Sequence, residues 1–131
     1  MALNLRSVEV FKPYAHELPE ALLETAGLAE ETIDQWLAAE TLRVAKIGTD
    51  VLGAYAMVRL DAINFELYGV IVEPRIRKQG LGRWLVGHAI GVAESKGGRH
   101  LHTSATSGTR MYKKLGFVDS GERLTFDMIQ E

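Results

Sequence analysis

Cysteine is absent from this chain of 131 residues. Disulfide staples, thiolate nucleophiles and cysteine-held metals are thereby excluded. No apolar run approaches the roughly 20 residues that span a bilayer, so membrane insertion is not expected. A dominant charge is lacking too: 15 Lys and Arg against 17 Asp and Glu leave a net charge of -2. That provides no field to gather nucleic acid or an anionic surface. The N-terminus shows no charged-then-apolar leader, so secretion has no support and the cytoplasm is the expected compartment. Internal repeats, low-complexity tracts and linkers are missing as well.

What is present suits a globular protein. An apolar fraction of 47% stands beside 24% charged residues, and the length allows one core but not two ordinary ones. The expectation is a single domain over residues 1–131.

Alternating apolar residues from Leu3 to Phe11 predict a strand that Pro13 stops. His16–Ala26 and Glu30–Ala39 carry apolar residues at three-to-four spacing with Gly27 between them, which predicts a helix pair. Leu42–Ile47 and Val51–Leu60 are β-rich and joined by Gly48-Thr49-Asp50, a hairpin signal, and Ile63–Val72 adds a third strand. Leu81, Leu85, Ala89, Val92 and Ala93 trace a helical stripe that Gly97-Gly98 ends. A short strand at Leu101 and Thr103, a helix over Thr109–Leu115 closed by Gly116, and one or two strands within Phe117–Ile129 complete the chain. The mixed order predicts an α/β (α+β) fold around a largely antiparallel sheet.

The only dense basic cluster, Arg75, Arg77, Lys78 and Arg83, surrounds Gly80 and Gly82 in a chain that is slightly acidic overall. Glycines let a ligand approach the backbone, and the helix starting near Gly82 offers unpaired N–H groups and a positive dipole end. A diphosphate fits that chemistry. The competing reading has the glycines making a tight turn and the cations a solvated face. Dinucleotide binding is disfavoured because Leu85 stands where G-x-G-x-x-G needs its third glycine, and the G-x-x-x-x-G-K-[ST] loop is absent.

The run from Val70 to Arg83, V-I-V-E-P-x-x-R-x-x-G-x-G, resembles the signature of the GNAT acetyltransferases, with Arg77, Gly80 and Gly82 on its core. Met111-Tyr112-Lys113-Lys114-Leu115-Gly116-Phe117 is similar to a second segment of that family. The resemblance extends over the whole chain, although the first 60 residues match only in layout. It implies a mixed, mostly antiparallel central sheet flanked by about four helices, and acetyl-CoA as co-substrate. It places the pantetheine arm along Val70, Ile71 and Val72, and the diphosphate on Arg77, Lys78, Gln79, Gly80, Leu81, Gly82 and Arg83.

It further implies an N-acetyltransferase that moves an acetyl group to a primary amine by direct attack in a ternary complex. Tyr112 matches the tyrosine that protonates the departing thiolate, a weak acid with a reference pKa of about 10. The alternative for Tyr112 is packing beside Phe117. Glu66 lies on the strand leading to the loop, where a carboxylate removes the amine proton, and a solvent-facing Glu is the alternative. A main-chain N–H near Val70 would meet the carbonyl oxygen.

Ala105 departs from the family, replacing an asparagine that touches the cofactor. Ser104 or Ser107 would substitute for it, but Ser107 suits a helix cap better. His100 and His102 share one face of a strand; two histidines alone make a poor metal site, so no metal is expected, and His102 would instead line the acceptor pocket. Trp36 and Trp84 read as core or helix-face residues. The acceptor would be selected by residues 16–39 and the loop at Asp61-Ala62. A catalytically inactive acetyl-CoA-binding domain that regulates a partner protein is the rival reading, a nucleic-acid module a weaker one. A homodimer through an exposed strand at Thr125–Ile129 is a further expectation.

Overall fold

In a computed structural model, residues 3–104 and 108–128 are described. The order is β1 (Glu9–Phe11), α1 (Glu20–Thr25), α2 (Glu30–Leu37), β2 (Thr41–Ile47), β3 (Asp50–Arg59), β4 (Asn64–Val72), α3 (Leu81–Ser95), β5 (His100–Thr103), α4 (Thr109–Lys114), β6 (Val118–Asp119) and β7 (Leu124–Asp127). The strands form one seven-stranded sheet in the order β1-β2-β3-β4-β5-β7-β6. Every neighbouring pair is antiparallel except β4 and β5. A parallel pair needs a crossover, and α3 supplies it.

The mixed, mostly antiparallel sheet with four α-helices is the architecture expected. Three local readings are corrected. Leu3–Phe11 is not one strand: the Asn4 side chain accepts the Arg6 N–H, which draws Leu5–Ser7 into a 3-10 turn and leaves β1 only three residues. The first helix does not begin at His16, because the residue before a proline is pushed out of the helical region. Leu18 is extended ahead of Pro19, with a separate 3-10 turn over Ala15–Glu17 before it. The terminal strand is an edge only in part: β7 lies between β5 and β6, with Leu124 and Thr125 paired to both, while Phe126 and Asp127 pair with β5 alone. Ile129 lies outside the described residues.

The helix ends follow their glycines. At α1, the Leu28 N–H reaches Leu23 O and the Gly27 N–H reaches Glu24 O, with Gly27 at φ 82°. Gly97 and Gly98 repeat the arrangement behind α3, so both helices stop where a left-handed residue turns the chain.

Each sheet face carries its own core. Leu81, Leu85, Val86, Ala89 and Ala93 of α3 pack with Tyr55, Met57, Phe65, Leu67 and Leu101. On the other face Leu22, Leu23, Ile33 and Trp36 pack with Val44, Ala54 and Ala56. At roughly 1.5–3 kcal/mol for each large side chain buried, these two layers hold the sheet rigid. Helix α3 sits close on the sheet because Gly53 lacks a side chain; a Cβ there would lie 3.0 Å from Ile71 O and from Leu85 Cδ1.

A bulge sets the register of β4. Ala56 pairs with Gly69 and Met57 with Leu67, leaving Tyr68 extra. Before it, Phe65 and Leu67 belong to the α3 face; after it, Val70 and Val72 do. Tyr68 and Ile71 pack on the opposite face.

Candidate active site

Strand β5 accompanies β4 only along Asn64, Phe65 and Glu66, which pair with His100, Leu101 and His102. β4 then continues to Val72 without β5, so its backbone groups on that side are left without a ladder partner. The wall so exposed borders a cleft of about 760 Å3, lined by Val70, Ile71 and Val72.

The cleft floor is the start of α3. Gly80, at φ 90°, is the N-cap and offers no side chain to the first turn. The first helical bond is donated by the Trp84 N–H to Gly80 O, so the N–H groups of Leu81, Gly82 and Arg83 have no partner within the helix. All three residues line the cleft. A Cβ on Gly82 would stand 3.7 Å from Met111 Sδ and from Val72 Cγ2, so a larger side chain there would fill the passage between α3, α4 and β4. Lys78 is held at φ 67°, an uncommon conformation for a side-chain-bearing residue, and lines the cleft with Arg77. Gln79 is placed otherwise: its Oε1 accepts the Leu3 N–H, tying the loop to the chain's first turn, and it does not line the cleft.

Sequence reasoning missed part of the wall. Ala26 and Leu28, just beyond α1, and Arg110, Met111 and Lys114 of α4 line it too. The four-residue spacing of Arg110 and Lys114 puts both on one side of α4 and was the available signal. Among the described residues lining the cleft there are five cations and no acidic side chain.

Tyr112 is buried, only 2% exposed, and meets Phe117 edge-on at 5.1 Å between ring centroids. Burial pushes its phenol up to about 12, against a smaller pull from the Thr103 hydroxyl. Thr103 Oγ1 is itself buried without a hydrogen bond of good geometry, so the two hydroxyls face each other more loosely than a bond. Thr103 ends β5, which brings the Tyr112 hydroxyl to the point where β5 has parted from β4.

Glu66 is half-buried on the face away from α3, opposite Val58 and in register with His102. Among the described residues its carboxylate makes no hydrogen bond or ion pair.

His102 is fixed by its neighbours. Asn64 Nδ2 donates to both oxygens of Asp61 at 3.0 Å, so Asn64 Oδ1 faces His102 Nε2 at 2.8 Å and must accept from it. His102 Nδ1 meets the Thr125 hydroxyl at 2.8 Å, and in the neutral ring it accepts from it. Burial, and next the charge of Arg123, hold its pKa below the usual histidine value. His100 Nδ1 meets Asp127 Oδ1 at 2.7 Å. Among the described residues no group of three His, Cys, Asp or Glu is arranged to hold a metal.

Asp61 is occupied locally: it accepts the Ile63 and Asn64 N–H groups, which keep its pKa low. Trp36 is core, and Trp84 is an exposed helix-face residue. The N-cap of α4 is Gly108; Ala105 and Ser107 lie outside the described residues. Among the described residues no helix is long and apolar enough to cross a membrane.

The profile of the Acetyltransferase (GNAT) family matches residues 6–117. No curated protein matches. Solved structures do: a GNAT family acetyltransferase from Elizabethkingia anophelis with acetyl-CoA bound is 21% identical with a TM-score of 0.73, covering 93% of this chain and 99% of that one. An IAA acetyltransferase from Bacillus cereus gives 22% identity and 0.78 over 93% and 100%. An acetyltransferase from Bacillus subtilis in complex with CoA gives 20% and 0.72 over 93% and 98%. At such identities the likeness is one of fold.

Proposed function

This chain belongs to the Acetyltransferase (GNAT) family, and from that premise we propose that it transfers an acetyl group from acetyl-CoA to a primary amine by direct attack in a ternary complex. The observation that carries the reading is the free side of β4 opening onto the first amides of α3. An extended amide-bearing arm finds hydrogen bonds along such a strand, and a diphosphate finds N–H groups and a dipole at such a helix start. Acetyl-CoA has both parts, and relatives of the same fold carry it or CoA.

In this reading Val70, Ile71 and Val72 hold the pantetheine arm through their main chain. Leu81, Gly82 and Arg83 donate to the diphosphate, with Arg77 and Lys78 as countercharge and Gln79 bracing the loop through Leu3. Acetyl-CoA supplies the thioester. A main-chain N–H near Val70 meets the charge developing on the carbonyl oxygen. Tyr112, protonated at neutral pH as a phenol is, delivers its proton to the departing thiolate. Glu66, on the other side of β4, takes the proton of the incoming amine. The whole chain acts as one catalytic domain, working in the cytoplasm.

Calorimetric titration with acetyl-CoA, beside the Gly82→Trp variant, tests the reading. Micromolar binding by the wild type, abolished in a variant that still folds, is the expected result. A well-folded wild type that does not bind sinks it. Turnover with any of a panel of amines then separates an enzyme from a domain that only binds.

A further inference from the structure

Arg110 and Lys114 line the cleft from α4, and the same two residues, with Thr109 and Lys113, rim an adjoining hollow of about 430 Å3. Lys113 is spoken for by Asp119 at 3.0 Å. Arg110 and Lys114 have no ion pair or hydrogen bond among the described residues. Like charges one helical turn apart repel, so the pair lowers the stability of α4 unless an anion lies against it.

A diphosphate on the α3 amides does not account for that anion. It already has three N–H groups and the cations Arg77, Lys78 and Arg83 at its own end of the cleft. The two ends nevertheless adjoin: Met111, next to Arg110, comes within 3.7 Å of where a Gly82 Cβ would be. A ligand with its diphosphate at Gly82 therefore carries its next substituents within side-chain reach of α4. In coenzyme A those substituents are the adenosine ribose and its phosphate monoester, a third phosphate group bearing close to two charges.

We infer that Arg110 and Lys114 form the subsite for the ribose 3′-phosphate, and that this subsite makes the chain select coenzyme A thioesters over their dephosphorylated forms. The inference rests on the acetyl-CoA reading, and its test separates the two. The whole chain is titrated with acetyl-CoA and with 3′-dephospho-acetyl-CoA, as wild type and as Arg110→Gln/Lys114→Gln.

Wild type binds acetyl-CoA roughly tenfold more tightly, the size expected of two partly exposed charge pairs to a dianion. The double variant narrows the ratio to about twofold by losing affinity for acetyl-CoA alone. Lys114→Glu, a charge reversal, narrows it further. Arg75→Gln leaves it unchanged, since Arg75 faces Glu73 at 3.5 Å and does not line the cleft. A ratio that survives in the double variant, or a wild type that binds both ligands equally, overturns the subsite while leaving the acetyl-CoA reading intact. Failure of both ligands to bind folded wild type overturns both.

Discussion

Glu66 and His102 are the last matched pair of the parallel ladder between β4 and β5. His102 is clamped there by Asn64 on β4 and Thr125 on β7, at 2.8 Å each. Three strands are thus pinned at one imidazole beside the point where two of them separate. The opening of the cleft is built into the sheet.

Tyr112→Phe preserves the edge-on contact with Phe117 and removes only the hydroxyl that faces Thr103. Turnover with any productive amine should fall by about 10²-fold or more, the range of a lost general acid, while acetyl-CoA affinity changes less than twofold. Ultraviolet titration should also lose a late-ionising phenol. Equal turnover in the variant would return Tyr112 to the core packing in which it is found.

Acid should weaken the fold through two histidines. Burial lowers the pKa of both His102 and His88. The unfolded chain binds protons at its ordinary histidine pKa of about 6.5, before the native one does, so their contribution is full above that pH and is lost as pH falls through the depressed native values. Thermal melts at pH 7.5 and 5.5 should show this drop, reduced in His88→Gln/His102→Gln. An unchanged drop would place the acid sensitivity elsewhere.

Gly53 and Gly91 should respond in opposite directions to alanine. At Gly53 a Cβ meets Ile71 O and Leu85 at 3.0 Å, and the overpacking should cost about 1–3 kcal/mol. At Gly91, inside α3, nothing lies within 4 Å of the added atom, so helix propensity should raise stability by about 0.5–1 kcal/mol. Denaturant midpoints of the two variants decide it, and destabilisation at both sites would contradict the packing described.

Lys78 is, among the described residues, the one non-glycine at positive φ. Lys78→Gly should relieve that strain and gain about 1 kcal/mol in stability, while weakening acetyl-CoA binding through the lost cation. A variant that binds as well as wild type would remove Lys78 from the diphosphate site.

The order of strands and helices could be read from periodicity and glycine punctuation, because those signals are local. The glycine loop was legible for the same reason: Arg77, Gly80, Gly82 and Arg83 are neighbours in the chain. The contribution of Arg110 and Lys114 was not, since only the packing of α4 beside α3 brings them to the cleft. Nor was the insertion of β7 between β5 and β6, a pairing between distant segments that leaves no periodic trace. The bulge did leave one in Gly69, a glycine inside a strand. Tyr112 was legible as a motif position, but its burial depends on Phe117 and Thr103 arriving from either side.

That bulge also divides β4 into two frames. Up to Leu67 the odd-numbered residues face α3, and from Val70 the even-numbered ones do. Edge amides alternate with side chains, so the same single extra residue decides which peptide groups of β4 look into the cleft. If β4 holds the pantetheine arm as proposed, chain length at Tyr68 would govern specificity: a deletion there would turn toward the cleft the N–H of each peptide group that now presents its C=O, and the reverse, while leaving the composition of the site almost untouched.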